Sequence, residues 1–304
     1  MSIDVLQSKI RKLKTPIVLG LDPTLELIPP ALLTEYRESP GPETLAESYF
    51  RFCKGLLEGL RKSVPAVKFQ SACFEALGWQ GVKVLQELLA LAKKLGYYVI
   101  LETMRSDVGH IAALNAQSVF GGLDFGGERV FPYPCDALVV NGYLGSDGIR
   151  PYLPYLQGEN PKNLFVVVKS SNKSSAEVQD LISGDRVIHT AMADLTLRWS
   201  TELFGKCGYG EVGAVVGLSS PRAIQELRKR YDTLFFLVPG YGAQGGVAKH
   251  ASYAFDRLGH GAAVCAARSI LGAWENSPDT DYVEADRAAL EKMKRQLETY
   301  VTVL

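Results

Sequence analysis

Residues 99–110 read VILETMRSDVGH, an apolar run that ends in Glu102, Arg105 and Asp107 with Met104 between the two carboxylates. Charged side chains gathered where a buried strand stops mark the rim of a site. Two carboxylates there can hold a cation, accept protons or bind hydroxyls. Met104 can do none of these, because a thioether carries no charge and no transferable proton. Lys68, inside the otherwise apolar PAVKFQ (65–70), belongs to the same problem. An ammonium buried without partners is costly, and Glu102 and Asp107 can supply them. A purely structural ion pair is the alternative.

A second concentration lies near the end of the chain, in VPGYGAQGG (238–246) followed by AARS (266–269). Glycines such as Gly242 and Gly245 let backbone amides turn inward and approach an anion closely. The Gln244 amide can donate, and Arg268 offers a planar, permanently charged fork suited to phosphate oxygens. A tight turn beside a surface arginine would have the same composition.

Elements able to position these groups recur along the chain. Eight short apolar segments have the length and Val, Ile or Phe content of strands buried on both faces: 16–22, 65–70, 97–102, 136–141, 163–169, 212–217, 233–239 and 261–267. Amphipathic stretches such as 81–96, 176–184 and 220–232 lie between them, the last opening on Ser220 as an N-cap and Pro221 at the first helical position. Eight strands alternating with helices predict an α/β fold, the (β/α)8 TIM barrel. An open doubly wound sheet is the rival, but no G-x-G-x-x-G follows the first strand. No break in composition divides the chain, so we expect one domain, 1–304. Its barrel spans about 15–276, with helices at 1–14 and 282–301 packed outside.

In such barrels the working residues sit where strands end. Those positions hold Asp22, Lys68, Gln70, Glu102, Arg105, Asp107, Asn141, Lys169, Ser171, the glycine loop and Arg268. The loops after strands seven and eight are also this fold's usual phosphate site.

Composition narrows the partners. Lys plus Arg equals Asp plus Glu at 33 each, so no global field recruits nucleic acid or an anionic membrane. No apolar stretch approaches the length of a membrane span, and the N-terminus alternates charged and apolar residues unlike a signal peptide. Five cysteines, an odd number without a C-x-x-C pair, suit reduced thiols in a cytoplasmic protein.

With these residues in place, the chain resembles the orotidine 5'-phosphate decarboxylase family, in its longer bacterial branch. The resemblance runs from about residue 1 to 276, through VLGLDP, AVKFQSACFEALGWQGVKVLQE, ALVVNGYLGSDGIRP, FVVVKSSNKSSAEVQDL, GAVVG, FFLVPGYGAQGG and Arg268. It implies that Asp22 holds a ribose hydroxyl and Ser171 reads a pyrimidine ring. Gln244 and Arg268 would grip a 5'-phosphate, with Gly242 and Gly245 in the phosphate loop and Asn141 among the binding residues. It implies catalysis by an alternating Lys–Asp–Lys–Asp array, the last three members in D-x-K-x-x-D, with neither metal nor organic cofactor. The final Asp would reach across a homodimer into the partner's site.

Here that motif reads ETMRSD. Lys68 and Asp107 match the first and last members, but Glu102 stands for Asp and Met104 for the proton-donating Lys. Gly109, His110 and Ile111 stand where the family usually has Gly-Ser/Asn-Thr, so a hydroxyl expected near the ribose is gone, and CAARS replaces Asn-Ser-Ser-Arg-Gly. General acid catalysis is worth about 10²–10⁴-fold, and a cation beside a developing carbanion usually more. Ordinary decarboxylation of orotidine 5'-monophosphate (OMP) to UMP is therefore expected to be lost or strongly reduced. Lys68 or His110 could substitute as the acid; His110 could equally be a solvated or interface histidine. Three readings follow, in this order: altered chemistry on a nucleoside-like phosphate, non-catalytic sensing of a nucleotide such as UMP, and a genuine decarboxylase with a modified array. A Mg²⁺ ion on Glu102 and Asp107 is a variant of the first. The segment SSNKSSAE could close over a ligand or be an ordinary solvated loop.

Overall fold

The computed structural model describes every residue except Pro278. Eight parallel strands close into a barrel: β1 (Ile17–Leu21), β2 (Ala66–Gln70), β3 (Tyr98–Glu102), β4 (Ala137–Val140), β5 (Asn163–Lys169), β6 (Val212–Val216), β7 (Phe236–Pro239) and β8 (Ala262–Ala266). Each pairs with its sequence neighbours, and β8 returns to β1 through Ile17 opposite Val264. All eight expected strands form, because each is a short run of branched apolar side chains that one buried face alone could not accommodate. Register sets the site: Lys68 lies opposite Gly20 and Ile100, and Gln70 opposite Glu102.

The helices cover the barrel by amphipathic spacing. In α3 (Gly78–Lys94), Val84, Leu85, Leu88, Leu89 and Ala92 are buried, a three-and-four repeat that makes one continuous stripe. Helix α2 (Pro42–Gly59) packs beside it. Further round lie α4 (Gly109–Ala116), α5 (Ile188–Trp199) and α6 (Pro221–Arg230). Ser220 does precede α6, but its side chain makes no capping hydrogen bond, and Pro221 alone opens the helix. The expected helix at 176–184 stops after one turn, Ala176–Gln179, and becomes a two-stranded ribbon, Ile182–Ser183 with Arg186–Val187. Gly184, at a φ of 65°, makes that ribbon's turn. A second ribbon pairs Leu123–Phe125 with Glu128–Val130.

Helix α1 (Ser2–Leu13) lies below the barrel, where the strands begin. Ile3, Leu6 and Ile10 are fully buried, and the Ile3 amide donates to both oxygens of Glu211, at 3.1 and 3.2 Å. Burial pushes Glu211 up to about 7. The apolar stripe of α1 lies outside the strands and meets residues at their starts, with Ser2 Oγ 2.9 Å from the Tyr98 hydroxyl.

Helix α7 (Tyr282–Glu298) packs against α2, capped by the Asp281 carboxylate, which accepts from the Val283 amide at 2.9 Å. Asp286 on its inner face is fully buried, and neither carboxyl oxygen has a hydrogen-bond partner. Burial, reinforced by the charge of Asp281, pushes it up to about 8. An unfolded aspartate titrates near 4. Between pH 4 and 8 the unfolded chain has therefore lost a proton that the fold retains, so stability falls as pH rises through this window. Asp286→Leu should unfold at a higher temperature than the parent at pH 8, with the gap shrinking towards pH 5. A gap independent of pH in thermal melts would contradict this assignment.

Among the described residues no helix is long and apolar enough to cross a membrane. The five cysteines are unpaired, with Cys53, Cys135 and Cys265 buried.

Candidate functional site

The strand ends surround a cavity of about 290 Å³ at the mouth of the barrel. A larger groove, about 830 Å³, lies at the opposite end between Met1, Phe131 and Lys162. The smaller one collects polar groups from the C-terminal ends of several barrel strands, among them Lys68, Gln70 and Glu102.

Its floor is a buried charge cluster. Lys68 projects from the middle of β2 and donates to Glu102 at the end of β3 and to Asp22 just beyond β1, the latter at 3.3 Å. Lys68 is 5% exposed and Glu102 7%. Burial alone would lower the lysine's proton affinity, but the charges of Asp22 and Glu102 outweigh it and hold Lys68 above the usual lysine range. The charged ammonium is thus the favoured resting form. Two carboxylates against one ammonium leave one negative charge in excess.

Met104 lines the cavity beside this cluster. Its backbone stands at a φ of 53°, a left-handed conformation that unbranched non-glycine residues adopt at a cost. The Met104 amide donates to the Val139 carbonyl at 3.2 Å, which holds the bend after β3 in place. With this backbone, residue 104 lies on the cavity lining.

The opposite rim comes from β7 and β8. Gly240, Ala243, Gln244 and Arg268 line it. Gly242 and Gly245, at φ of 71° and 82°, make the turn without lining the cavity. Most amides of this loop donate within it: Gly242 to Gly246, Gly245 to Gly242, and Gly246 to Gly240. The side chains that this rim offers to the cavity are therefore those of Gln244 and Arg268, with most glycine amides already bonded within the loop.

Ser171 lines the third side, with Ser170 and Asn172. Of the other expected residues, Asp107 lies outside the lining, its carboxylate accepting from the Val108 amide at 2.8 Å. Asn141 also lies outside, accepting from the Tyr143 amide at 3.0 Å and shaping the exit of β4. Lys169 turns away to Asp180, 2.7 Å distant. Arg105 pairs with Glu75 at 2.7 Å, and His110 is exposed on α4 away from the cavity. Neither is among the residues that line the cavity. Among the described residues no set of three or more His, Cys, Asp or Glu side chains is placed to hold a metal ion. Glu102 and Asp107 in particular do not converge.

Tyr241 and Cys265 line the cavity without having been anticipated. Cys265 could have been read from its place at the end of β8. Burial pushes its thiol above the usual cysteine range.

Comparison with known proteins places this geometry. Residues 15–278 match the Orotidine 5'-phosphate decarboxylase / HUMPS family. An orotidine 5'-phosphate decarboxylase from Caldicellulosiruptor bescii is 31% identical over 301 residues, covering 98% of each chain. One from Rhodopirellula baltica is 34% identical over 284 residues, covering 91% of this chain and 92% of its own. The solved structure of Leishmania donovani OMP decarboxylase superposes with a TM-score of 0.75 at 26% identity, covering 98% of both chains.

Proposed function

The chain belongs to the orotidine 5'-phosphate decarboxylase family, and from that we propose that it binds a pyrimidine nucleoside 5'-monophosphate and decarboxylates OMP slowly, through an array reduced to one ammonium. The names of its relatives favour a working decarboxylase over altered chemistry or a nucleotide sensor. The observation that carries the reading is Lys68, buried against Asp22 and Glu102 on the floor of a cavity whose far rim holds Gln244 and Arg268.

In this reading Arg268 and Gln244 take the phosphate, Asp22 a ribose hydroxyl and Ser171 the pyrimidine ring, which is thereby aimed at Lys68, Glu102 and Met104. The bond from ring carbon to carboxylate breaks, CO₂ leaves and the electron pair stays on the ring. Lys68 supplies the proton that forms the new C–H bond and recovers one from solvent. No metal or organic cofactor enters. Asp107, outside the lining of its own chain, serves the partner's site in a cytoplasmic homodimer.

Met104 supports a second reading, binding without turnover. A substrate carboxylate about 4 Å from the excess negative charge is repelled by about 4 kcal/mol at an effective dielectric near 20. A second ammonium would offset this, and a thioether does not.

Calorimetric titration with UMP and uridine tests the binding claim. UMP should bind far more tightly than uridine. Arg268→Ala should weaken UMP by about 10–100-fold, the worth of a charge-assisted contact, and leave uridine unchanged. Equal affinities for UMP and uridine would overturn the phosphate assignment. CO₂ release from OMP decides between slow turnover and none.

A further inference from the structure

The side of the cavity assigned to the ring is built on a single peptide stretch, Ser170–Ser171–Asn172, that leaves β5 without entering regular structure. Such a stretch needs something to fix its orientation, since loop backbone away from a hydrogen-bond ladder is free to rotate. Gln179, nine residues on and outside the cavity lining, supplies it. The Ser170 amide donates to Gln179 Oε1 at 2.9 Å, and Gln179 Nε2 donates back to Ser170 Oγ at 2.8 Å. Ser170 Oγ in turn donates to Asn172 Oδ1 at 2.6 Å. One side-chain amide thus fixes both the main chain and the side chain of the residue before Ser171.

Gln179 is itself anchored. Its carbonyl lies 2.9 Å from His189 Nδ1, at the start of α5. The next residue, Asp180, accepts from Lys169 at 2.7 Å and lies 3.2 Å from the same His189 nitrogen. Lys169 is 1% exposed while Asp180 stays largely open to solvent. A buried ammonium with its counter-ion on the following turn ties that turn to the end of β5, because separating them would strand the charge. From the other side Gly217, just after β6, permits the approach: a Cβ there would stand 2.6 Å from Ser171 Cα.

We propose that Gln179, anchored through Lys169, Asp180 and His189, is a positioning residue that sets the orientation of the Ser170–Asn172 wall and so determines how the ligand's ring is held. It acts through Ser170 and touches no ligand. The inference rests on the proposed nucleotide site, and ligands with and without a ring separate the two claims.

The experiment measures the affinity of UMP and of ribose 5-phosphate for the full-length protein and for Gln179→Ala and Gln179→Glu. Loss of two hydrogen bonds should weaken UMP about tenfold in Gln179→Ala. Ribose 5-phosphate, which has no ring to be read, should bind within about twofold of the parent. Gln179→Glu keeps an acceptor for the Ser170 amide but not the donor to Ser170 Oγ, and should fall between. An equal loss for both ligands, or no loss for UMP, would overturn the proposal. Failure of the parent to bind UMP would instead remove the nucleotide reading on which it rests. A thermal melt of each variant, expected within a few degrees of the parent, shows that the fold is kept.

Discussion

Replacing Met104 by lysine should accelerate CO₂ release from OMP by about 10²–10⁴-fold, the usual worth of a positioned general acid. The two side chains are unbranched and similar in length. The substitution therefore asks nothing new of the backbone, which already stands at a φ of 53°. What changes is charge. Asp22 and Glu102 now share Lys68 alone; a second ammonium at 104 would balance them and give the leaving carboxylate and the ring carbanion a cation to face. The same variant should bind OMP more tightly relative to UMP, since the excess negative charge that repels the carboxylate is gone. Steady-state decarboxylation and paired titrations read the two effects. An unchanged rate with tightened binding would point instead to Glu102, which lines the cavity, and to Ile111, which lies outside the lining.

Lys68→Ala should be the most damaging single change at the site, in both activity and stability. It removes the one proton donor assigned to the reaction, so turnover should fall below detection. It also leaves two carboxylates facing each other with no counter-charge, and breaking a buried pair in this way costs about 3–5 kcal/mol. Urea unfolding at pH 7 should show that loss. The double variant Lys68→Met with Glu102→Met should recover most of the stability and none of the activity, because buried ions replaced by apolar groups of similar size are tolerated. A stable Lys68→Ala protein would mean that water reaches the cluster and that the charges are not held as the burial of Lys68 and Glu102 indicates.

Much of this molecule was legible in its sequence, for reasons that explain what was not. All eight barrel strands could be read because burial on both faces leaves an unbroken apolar run. Once the strands are placed, the fold dictates where polar ends converge. Asp22, Lys68, Glu102, Met104, Ser171, Gln244 and Arg268 accordingly meet in one cavity. The short ribbons at 123–130 and 182–187 escaped notice because two or three exposed residues carry no periodicity. Helix α1 was read as amphipathic, but a stripe does not say whether it covers a barrel's wall or its floor. Asp107 and Asn141 fall outside the cavity lining because loop geometry turns a side chain away within a residue or two of a strand end, while Gly242 and Gly245 make the backbone turn and present no side chain. Gln179 was invisible for a related reason: it acts through Ser170, nine positions earlier, across a turn whose path depends on the Lys169–Asp180 pair. Family membership added what residue chemistry alone did not, relatives of similar length that carry the decarboxylase name.

The account depends on the charge missing at residue 104, and one measurement reaches it directly: the turnover of OMP by the unmodified protein, beside the Caldicellulosiruptor bescii relative under the same conditions. We predict measurable UMP formation at a rate lower by about two to four orders of magnitude. A rate equal to the relative's would contradict the account, because it would show that a thioether in that place costs the reaction nothing.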